Sequence, residues 1–412
     1  MKAPEMTSTP MRASQTERKL RILHVLRAPL GGLFRHVIDL TYEQIARGHA
    51  VGLVTDSNTG GQRADDILGE LEPLLELGLL RLPMRRQPHI HDLVLAARIA
   101  FHTRARAVDV VHGHGSKGGV YARAPGFIPG FRKPARAYTP HGGSFNYRAH
   151  PAVEATFMMV ERLLAHATDI FLFESAFIAN RFREEVGEPR KLTRIVLNGV
   201  KPAEFIPIVP NPDAAELVYV GELRAAKGID TLIDAVARVA SRQQSHGSAP
   251  PRLLLVGSGP EEKQLAAYAE SRQVGHLVTF AGMLPAHDAF KLGRILIVPS
   301  RAESLPYIVI EAAAGQVPMV ATNVGGIGEI FGPYCNRLIV CDNPELLALT
   351  IETMLARPRS TLEVEAAQLA AFVATKFTVA TMADSVLAGY VEAIERKLHN
   401  NGAHAPSFAL PS

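Results

Sequence analysis

Arg21-Ile-Leu-His-Val-Leu26, Pro29-Leu-Gly31-Gly32, Leu33 to Arg47, Gly48, then Ala50-Val-Gly-Leu-Val54: this stretch decides the fold. The first run is short, apolar and bounded by turn residues, as a strand buried on both faces is. After the Gly-Gly loop, Val37, Leu40 and Ile45 recur at helical spacing, and Gly48 is a good residue to end a helix. A second apolar run follows. Strand, glycine loop, helix, strand is the βαβ unit of a parallel sheet.

The same phrase recurs downstream. Leu217-Val-Tyr-Val-Gly221 leads through a polar loop, Glu222 to Gly228, into a helix over 229–240 and a strand over 253–256. Further strands are expected at 108–111, 135–138, 278–281, 295–298 and 319–321. The expectation is α/β: two Rossmann-like, doubly wound domains facing across a cleft. Their limits are 20–198 and 213–378, joined by a linker over 199–212, where Asn-Gly and three prolines break the pattern. An amphipathic helix over 379–398 can pack on either domain. Residues 1–19 and 399–412 read as a disordered leader and a flexible tail.

Length agrees. At roughly 150 residues per domain, 412 residues make two to three domains. With 47% hydrophobic and 20% charged residues, disorder, a collagen-like repeat and a disulfide scaffold are excluded. No apolar run approaches the roughly 18 residues of a membrane helix. Cys335 and Cys341 read as packing thiols in a reducing, cytoplasmic setting. A net charge of +4 predicts no nucleic-acid partner. That total hides an asymmetry, because residues 81–150 hold twelve Lys and Arg against only Asp92 and Asp109. Solvated helix faces are one reading, and a surface meeting anionic lipid at the inner face of a membrane is the other.

The richest chemistry lies in Arg301-Ala-Glu303-Ser-Leu305-Pro306-Tyr307-Ile308-Val-Ile-Glu311. Pro306 suits a first helical position, and Gly315 with Pro318 ends the helix. Glu303 then precedes the helix and Glu311 lies in its second turn. Helix N-termini at a sheet's C-terminal edge bind anions. Carboxylates beside such a site accept hydroxyl hydrogen bonds, so the set suits a sugar–diphosphate–ribose. Dipole-favouring, solvated glutamates are the alternative. Arg224 and Lys227, in the loop before a helix, can converge on a diphosphate. No Asp-x-Asp occurs, so a metal bridge there is not suggested. Gly31-Gly32 would let backbone N–H groups approach a phosphate. His112 and His114 have metal-ligand spacing, but no third ligand is evident nearby. His114, Ser116 and Lys117 follow the end of a predicted strand and emerge at the cleft edge, and His112, on the opposite phase, reads as packing. Val256-Gly-Ser-Gly259 is not a Gly-x-Gly-x-x-Gly motif, which argues against a dinucleotide.

The segment Glu303-Ser-Leu-Pro-Tyr-Ile-Val-Ile-Glu311 resembles the E-x7-E signature of the retaining, metal-independent GT-B glycosyltransferases of family 4, the group 1 glycosyltransferases. The resemblance spans about 20–398. It implies that Glu311 would hold ribose hydroxyls and Glu303 would sit against the transferred sugar. Backbone N–H groups of Leu305, Tyr307 and Ile308 would line the sugar and phosphates. Arg224 and Lys227 resemble the family's R-x-x-K diphosphate clamp, and His141 its strand-end histidine beside the donor sugar. The resemblance further implies that Gly282-Met283-Leu284 would border the nucleobase and that His114, Ser116 and Lys117 would lie on the acceptor side. Leu305-Pro306 departs from the family's usual aromatic and glycine, and Pro306 offers no N–H.

The implied activity is transfer of a sugar from a nucleoside diphosphate to an acceptor hydroxyl with retention, without a cofactor or metal. The acceptor would be a glycan or lipid-linked intermediate of exopolysaccharide or lipopolysaccharide assembly. A sugar-nucleotide 2-epimerase and a non-catalytic sugar-nucleotide-binding subunit are the rival readings. Formation of an epimer without acceptor marks the first, and slow donor hydrolysis excludes the second.

Overall fold

The computed structural model describes residues 18–143, 151–245 and 247–400. Most of the expected leader (1–19) and tail (399–412) lies outside these residues. Among the described residues, twelve strands form two parallel sheets. The first holds β1 (Arg21–Leu26), β2 (Ala50–Asp56), β3 (Gly78–Leu82), β4 (Val110–His114), β5 (Ala135–Thr139), β6 (Ile170–Phe173) and β7 (Leu192–Ile195). The second holds β8 (Ala215–Val220), β9 (Leu253–Val256), β10 (Val278–Gly282), β11 (Gly293–Val298) and β12 (Met319–Ala321). The expected α/β class, with two Rossmann-like domains, is the observed architecture.

Strand order places the site. The first sheet runs β3-β2-β1-β4-β5-β6-β7 and the second β10-β9-β8-β11-β12. Order reverses between β1 and β4 and between β8 and β11. Loops leaving the C-terminal ends of such strands part there and leave a crevice. Every residue of β2 is buried, and helices cover both faces, which is why these strands read as unbroken apolar runs.

The helix Val379–Asn400 settles the choice left open by its amphipathic pattern. Val379, Met382, Ala383, Val386 and Tyr390 pack with Ile22, Leu40, Val110 and Ile170 in the first domain. The chain therefore crosses between domains twice, and the crossings touch. Val200 N–H donates to the Phe377 carbonyl (2.9 Å) and Val379 N–H to the Val200 carbonyl (3.1 Å). A Cβ on Gly199 would stand 2.3 Å from the Thr378 carbonyl, so only glycine fits this crossing.

Three local expectations need correction. Pro306 caps the helix Tyr307–Ala314 from outside, with ψ of 123°, instead of occupying its first position. Cys335 is exposed and so is not a packing thiol. His112 and His114, two apart on β4, share one face of the sheet, as strand pleating requires, with ring centroids 3.9 Å apart.

Candidate active site

Two loops of the second domain flank its switch point. Val220 ends β8, and the loop after it carries Arg224 and Lys227; Val298 ends β11, and the loop after it carries Glu303. Lys227 Nζ lies 2.5 Å from Glu303 Oε1, and the Ser300 hydroxyl donates to the same oxygen at 2.7 Å. Glu303 is only 8% exposed, so its carboxylate is fixed by partners rather than by water. Immediately beyond, the first N–H groups of Tyr307–Ala314 have no intrahelical acceptor. The floor is built from close backbone approaches. A Cβ on Gly257 would stand 1.8 Å from the Gly221 carbonyl oxygen, and one on Gly325 would stand 2.0 Å from that of Glu303.

The first domain faces this with a glycine turn and a set of histidines. Gly31 opens the helix Gly31–Ala46 at φ +63°. A Cβ on Gly32 would meet the Tyr307 ring at 3.1 Å, so the two domains touch here. Arg35, one turn on, stacks over Tyr307 at 4.6 Å and forms ion pairs with Glu204, Asp39 and, across the cleft, Glu311. Asn198 Nδ2 donates to the Leu305 carbonyl at 2.8 Å. Glu329 of the second domain accepts from the Ala176 and Phe177 N–H groups, both at 2.9 Å, capping a first-domain helix.

His24, His36, His112, His114 and His141 gather at the C-terminal ends of β1, β4 and β5. His114 Nδ1 lies 3.1 Å from His141 Nε2, and the His36 and His141 rings meet edge-on at 4.7 Å. Burial holds His24 and His36 down to about 4, and holds His112, His114 and His141 well below the usual imidazole range. At neutral pH these rings are uncharged. They donate and accept hydrogen bonds and can ligate, but carry no cation to the cleft.

Residues 201–368 match the family model for glycosyl transferases group 1, and residues 30–204 that for glycosyltransferase family 4. Each of the two domains thus matches a glycosyltransferase family model. A relative is the candidate teichuronic acid biosynthesis glycosyltransferase TuaC of Bacillus subtilis, 36% identical over 137 residues. That match covers 32% of this chain and 31% of TuaC, about a third of its length. Glycogen synthase of Mycobacterium tuberculosis is 24% identical over 323 residues, 73% of this chain and 76% of that one. Among solved structures, sucrose-phosphate synthase from Thermosynechococcus elongatus superposes with a TM-score of 0.73 at 20% identity, covering 93% of this chain and 100% of its own. Anabaena HepE in complex with UDP-glucose gives 0.70 at 18% identity, covering 92% and 100%. These likenesses are of the GT-B fold.

Several residues singled out from sequence stand together: Lys227 with Glu303, Tyr307 with Gly32, and His114 with His141. Arg224 does not join Lys227; its guanidinium pairs with Glu222 at 2.9 Å on the exposed side of the loop. Lys117 is engaged with Asp92 at 2.9 Å and the Gln87 carbonyl, away from His141. Ser116 lies against Gly143, where a Cβ would stand 2.8 Å from its hydroxyl. Leu305 buries its side chain and offers its carbonyl to Asn198, and Ile308 follows Tyr307 in the first helical turn. The Gly282 carbonyl accepts from Gly257 N–H at 2.7 Å, and Met283 and Leu284 beyond it are exposed. Arg35 and His36, just beyond the glycine turn, face the cleft, and sequence reasoning missed His24 and Glu329. A basic residue and two histidines beside that turn were the available signal.

Proposed function

We propose that this chain transfers a glycosyl unit from a nucleoside-diphosphate sugar to an acceptor hydroxyl with retention of anomeric configuration. The observation that carries the reading is the Lys227–Glu303 contact at the N-terminus of the helix bearing Glu311, where Tyr307 meets Gly32 of the first domain. A diphosphate needs cations and N–H donors, while a sugar and a ribose need carboxylate acceptors, and here the two kinds of group alternate. HepE, of the same fold, was solved with UDP-glucose.

In this reading Lys227, Arg224, the amides at Tyr307 and Ile308 and those of Gly31-Gly32 stabilise charge on the departing diphosphate. Arg224 turns from Glu222 to reach it. The absence of Asp-x-Asp leaves that work to these cations, and no metal is placed on the diphosphate. Glu311 accepts from the ribose, Glu303 lies against the transferred sugar, and neutral His141 donates to a sugar hydroxyl. Met283 and Leu284 border the base. The leaving phosphate itself takes the acceptor proton, so no side chain serves as base. Contact between the domains excludes water, the competing acceptor.

The acceptor side is the first domain, with His114 and Ser116 nearest the sugar. Its outer face mixes exposed Leu93, Val94, Phe101 and Ile128 with exposed Arg98 and Lys133. That combination supports a lipid-linked acceptor met at an anionic membrane surface on the cytoplasmic side. Among the described residues, no helix is long and apolar enough to cross a membrane.

A thermal-shift screen of UDP-, GDP- and ADP-sugars tests the donor site. One class should raise Tm in the native chain and fail to do so in Glu311→Ala. An equal shift in both proteins would remove Glu311 from the site. NMR of the anomeric product decides retention, and epimer formed without acceptor would favour the epimerase.

A further inference from the structure

The histidine cluster offers two trios whose ring nitrogens lie within 4.8 Å of one another: His24, His112 and His114, and His36, His114 and His141. Hydrogen-bond partners separate them. His112 has both nitrogens engaged, Nδ1 with the Tyr390 hydroxyl at 2.7 Å and Nε2 with Thr139 Oγ1 at 2.8 Å. The first trio is therefore satisfied as a polar network.

In the second trio, hydrogen bonds from outside constrain the tautomers, and Asn198 pins that of His36. Only the amide nitrogen of Asn198 can meet the Leu305 carbonyl, so its Oδ1 faces His36 Nδ1, at 3.0 Å, as acceptor. His36 then carries its proton on Nδ1. Its Nε2 keeps a lone pair that is buried and has no hydrogen-bond partner among the described residues. With the Gln44 amide oxygen turned to His24, its NH2 being buried without a hydrogen-bond partner among the described residues, Gln44 Oε1 accepts from His24 Nε2 at 2.8 Å and His24 Nδ1 accepts from His114 Nε2 at 2.9 Å. His114 Nδ1 is left with a lone pair, 3.1 Å from His141 Nε2. A proton on His141 satisfies His114 and leaves His36 unsatisfied. His141 is held at φ 52°, a left-handed conformation uncommon for a non-glycine residue.

We propose that His36 Nε2, His114 Nδ1 and His141 Nε2 bind a zinc-class divalent ion, with the fourth coordination position open on the side of His141. Neutral imidazole is the favoured ligand of such ions, and three histidines with an open position is one of their standard sets. Tetrahedral coordination at about 2.0–2.1 Å sets ligand nitrogens roughly 3.3 Å apart. The His114–His141 pair already has that spacing, and the widest gap closes by roughly 1.5 Å of ring movement. Asn198 and the His24–Gln44 pair supply the outer hydrogen bonds that orient ligating imidazoles. The site lies in the first domain, apart from Lys227 and Glu303, so it does not bridge the diphosphate.

The full-length chain, freed of metal by chelation and titrated with Co2+, is expected to bind one equivalent and develop the visible absorption of a tetrahedral ion. Zn2+ should displace the cobalt and raise Tm. His36→Gln and His141→Gln should each weaken binding at least tenfold. Replacing the exposed His89 and His91 by Gln, which removes an adventitious surface pair, should leave it unchanged. His141 is partly exposed, so His141→Gln keeps the test valid if His36→Gln fails to fold. No stoichiometric binding by the native chain, undiminished affinity in the folded site variants, or loss of binding in the His89, His91 double variant would overturn the site.

Discussion

Arg35 holds three carboxylates, Asp39, Glu204 and Glu311, that would repel one another at the mouth of the cleft without it. Lys201 from the linker also pairs with Asp39, at 2.9 Å, so this group ties linker, first-domain helix and second-domain helix together. Arg35→Ala removes the shared partner from side chains that are largely shielded from water. A loss of roughly 2–3 kcal/mol is expected in denaturant unfolding. Arg35→Lys should recover only part of it, since one ammonium cannot serve three acceptors in fork geometry. The histidines set a pH dependence. His24 and His36 titrate near 4 when folded and near 6.5 when unfolded, so protons bind preferentially to the unfolded chain between those values. Stability is complete above about pH 6.5 and falls as pH drops toward 4, by up to about 1.4 kcal/mol per pH unit per histidine. Melting curves from pH 7.5 to 5 should show this, with a shallower slope in His24→Gln. Glu174 acts in the opposite sense. Burial, with Glu329 nearby, raises its carboxyl to about 7, so it disfavours the folded state as pH rises from about 4.5 through 7. Glu174→Gln should raise Tm at pH 8 and have little effect at pH 5.

At the scale of elements, the helix Val379–Asn400 completes the first-domain core although it follows the second domain in sequence. A chain ending at residue 378 would expose Ile22, Leu40, Val110 and Ile170 and lose the Tyr390–His112 hydrogen bond. It should be recovered insoluble or as an ANS-binding, unfolded first domain. Tyr390→Phe isolates the hydrogen bond and should cost about 1–2 kcal/mol. This helix also shows where the sequence stops informing. Its apolar stripe says that it packs, and nothing in a periodic pattern says on what. Strands were legible because both faces are buried and turn residues bound them; β1, β9 and β12 have the limits expected of them. The Glu303-to-Glu311 segment was legible because strand, loop and helix are contiguous there. The five histidines were not, because they come from two strands, a helix and a loop that only parallel-sheet topology brings to one edge. Nor was the Arg35–Glu311 contact, which exists only when the domains face each other. Arg224 and Lys227 illustrate a subtler limit: spacing in a loop does not fix direction, and Glu222 holds Arg224 outward.

Across the whole molecule, two crossings at Val200 and Thr378 connect the domains, and the contacts that close the cleft include Arg35 with Glu311 and Tyr307, Asn198 with Leu305, and Glu329 with the helix at Ala176. Glu329 has no role assigned to it toward donor or acceptor. Glu329→Ala should cost about 1 kcal/mol as a lost helix cap. It should also enlarge the radius of gyration in small-angle scattering without abolishing donor binding. An unchanged radius would show that the remaining contacts suffice to hold the domains together. The central claim is narrower than closure. It is that Lys227, Glu303 and Glu311 act on one nucleoside-diphosphate sugar. Donor-dependent release of nucleoside diphosphate by the purified chain, measured with the sugar selected by thermal shift, tests it most directly. The account predicts measurable release by the native chain and a loss of at least a hundredfold in Lys227→Ala and Glu311→Ala, both still folded. Undiminished release in those variants would contradict it.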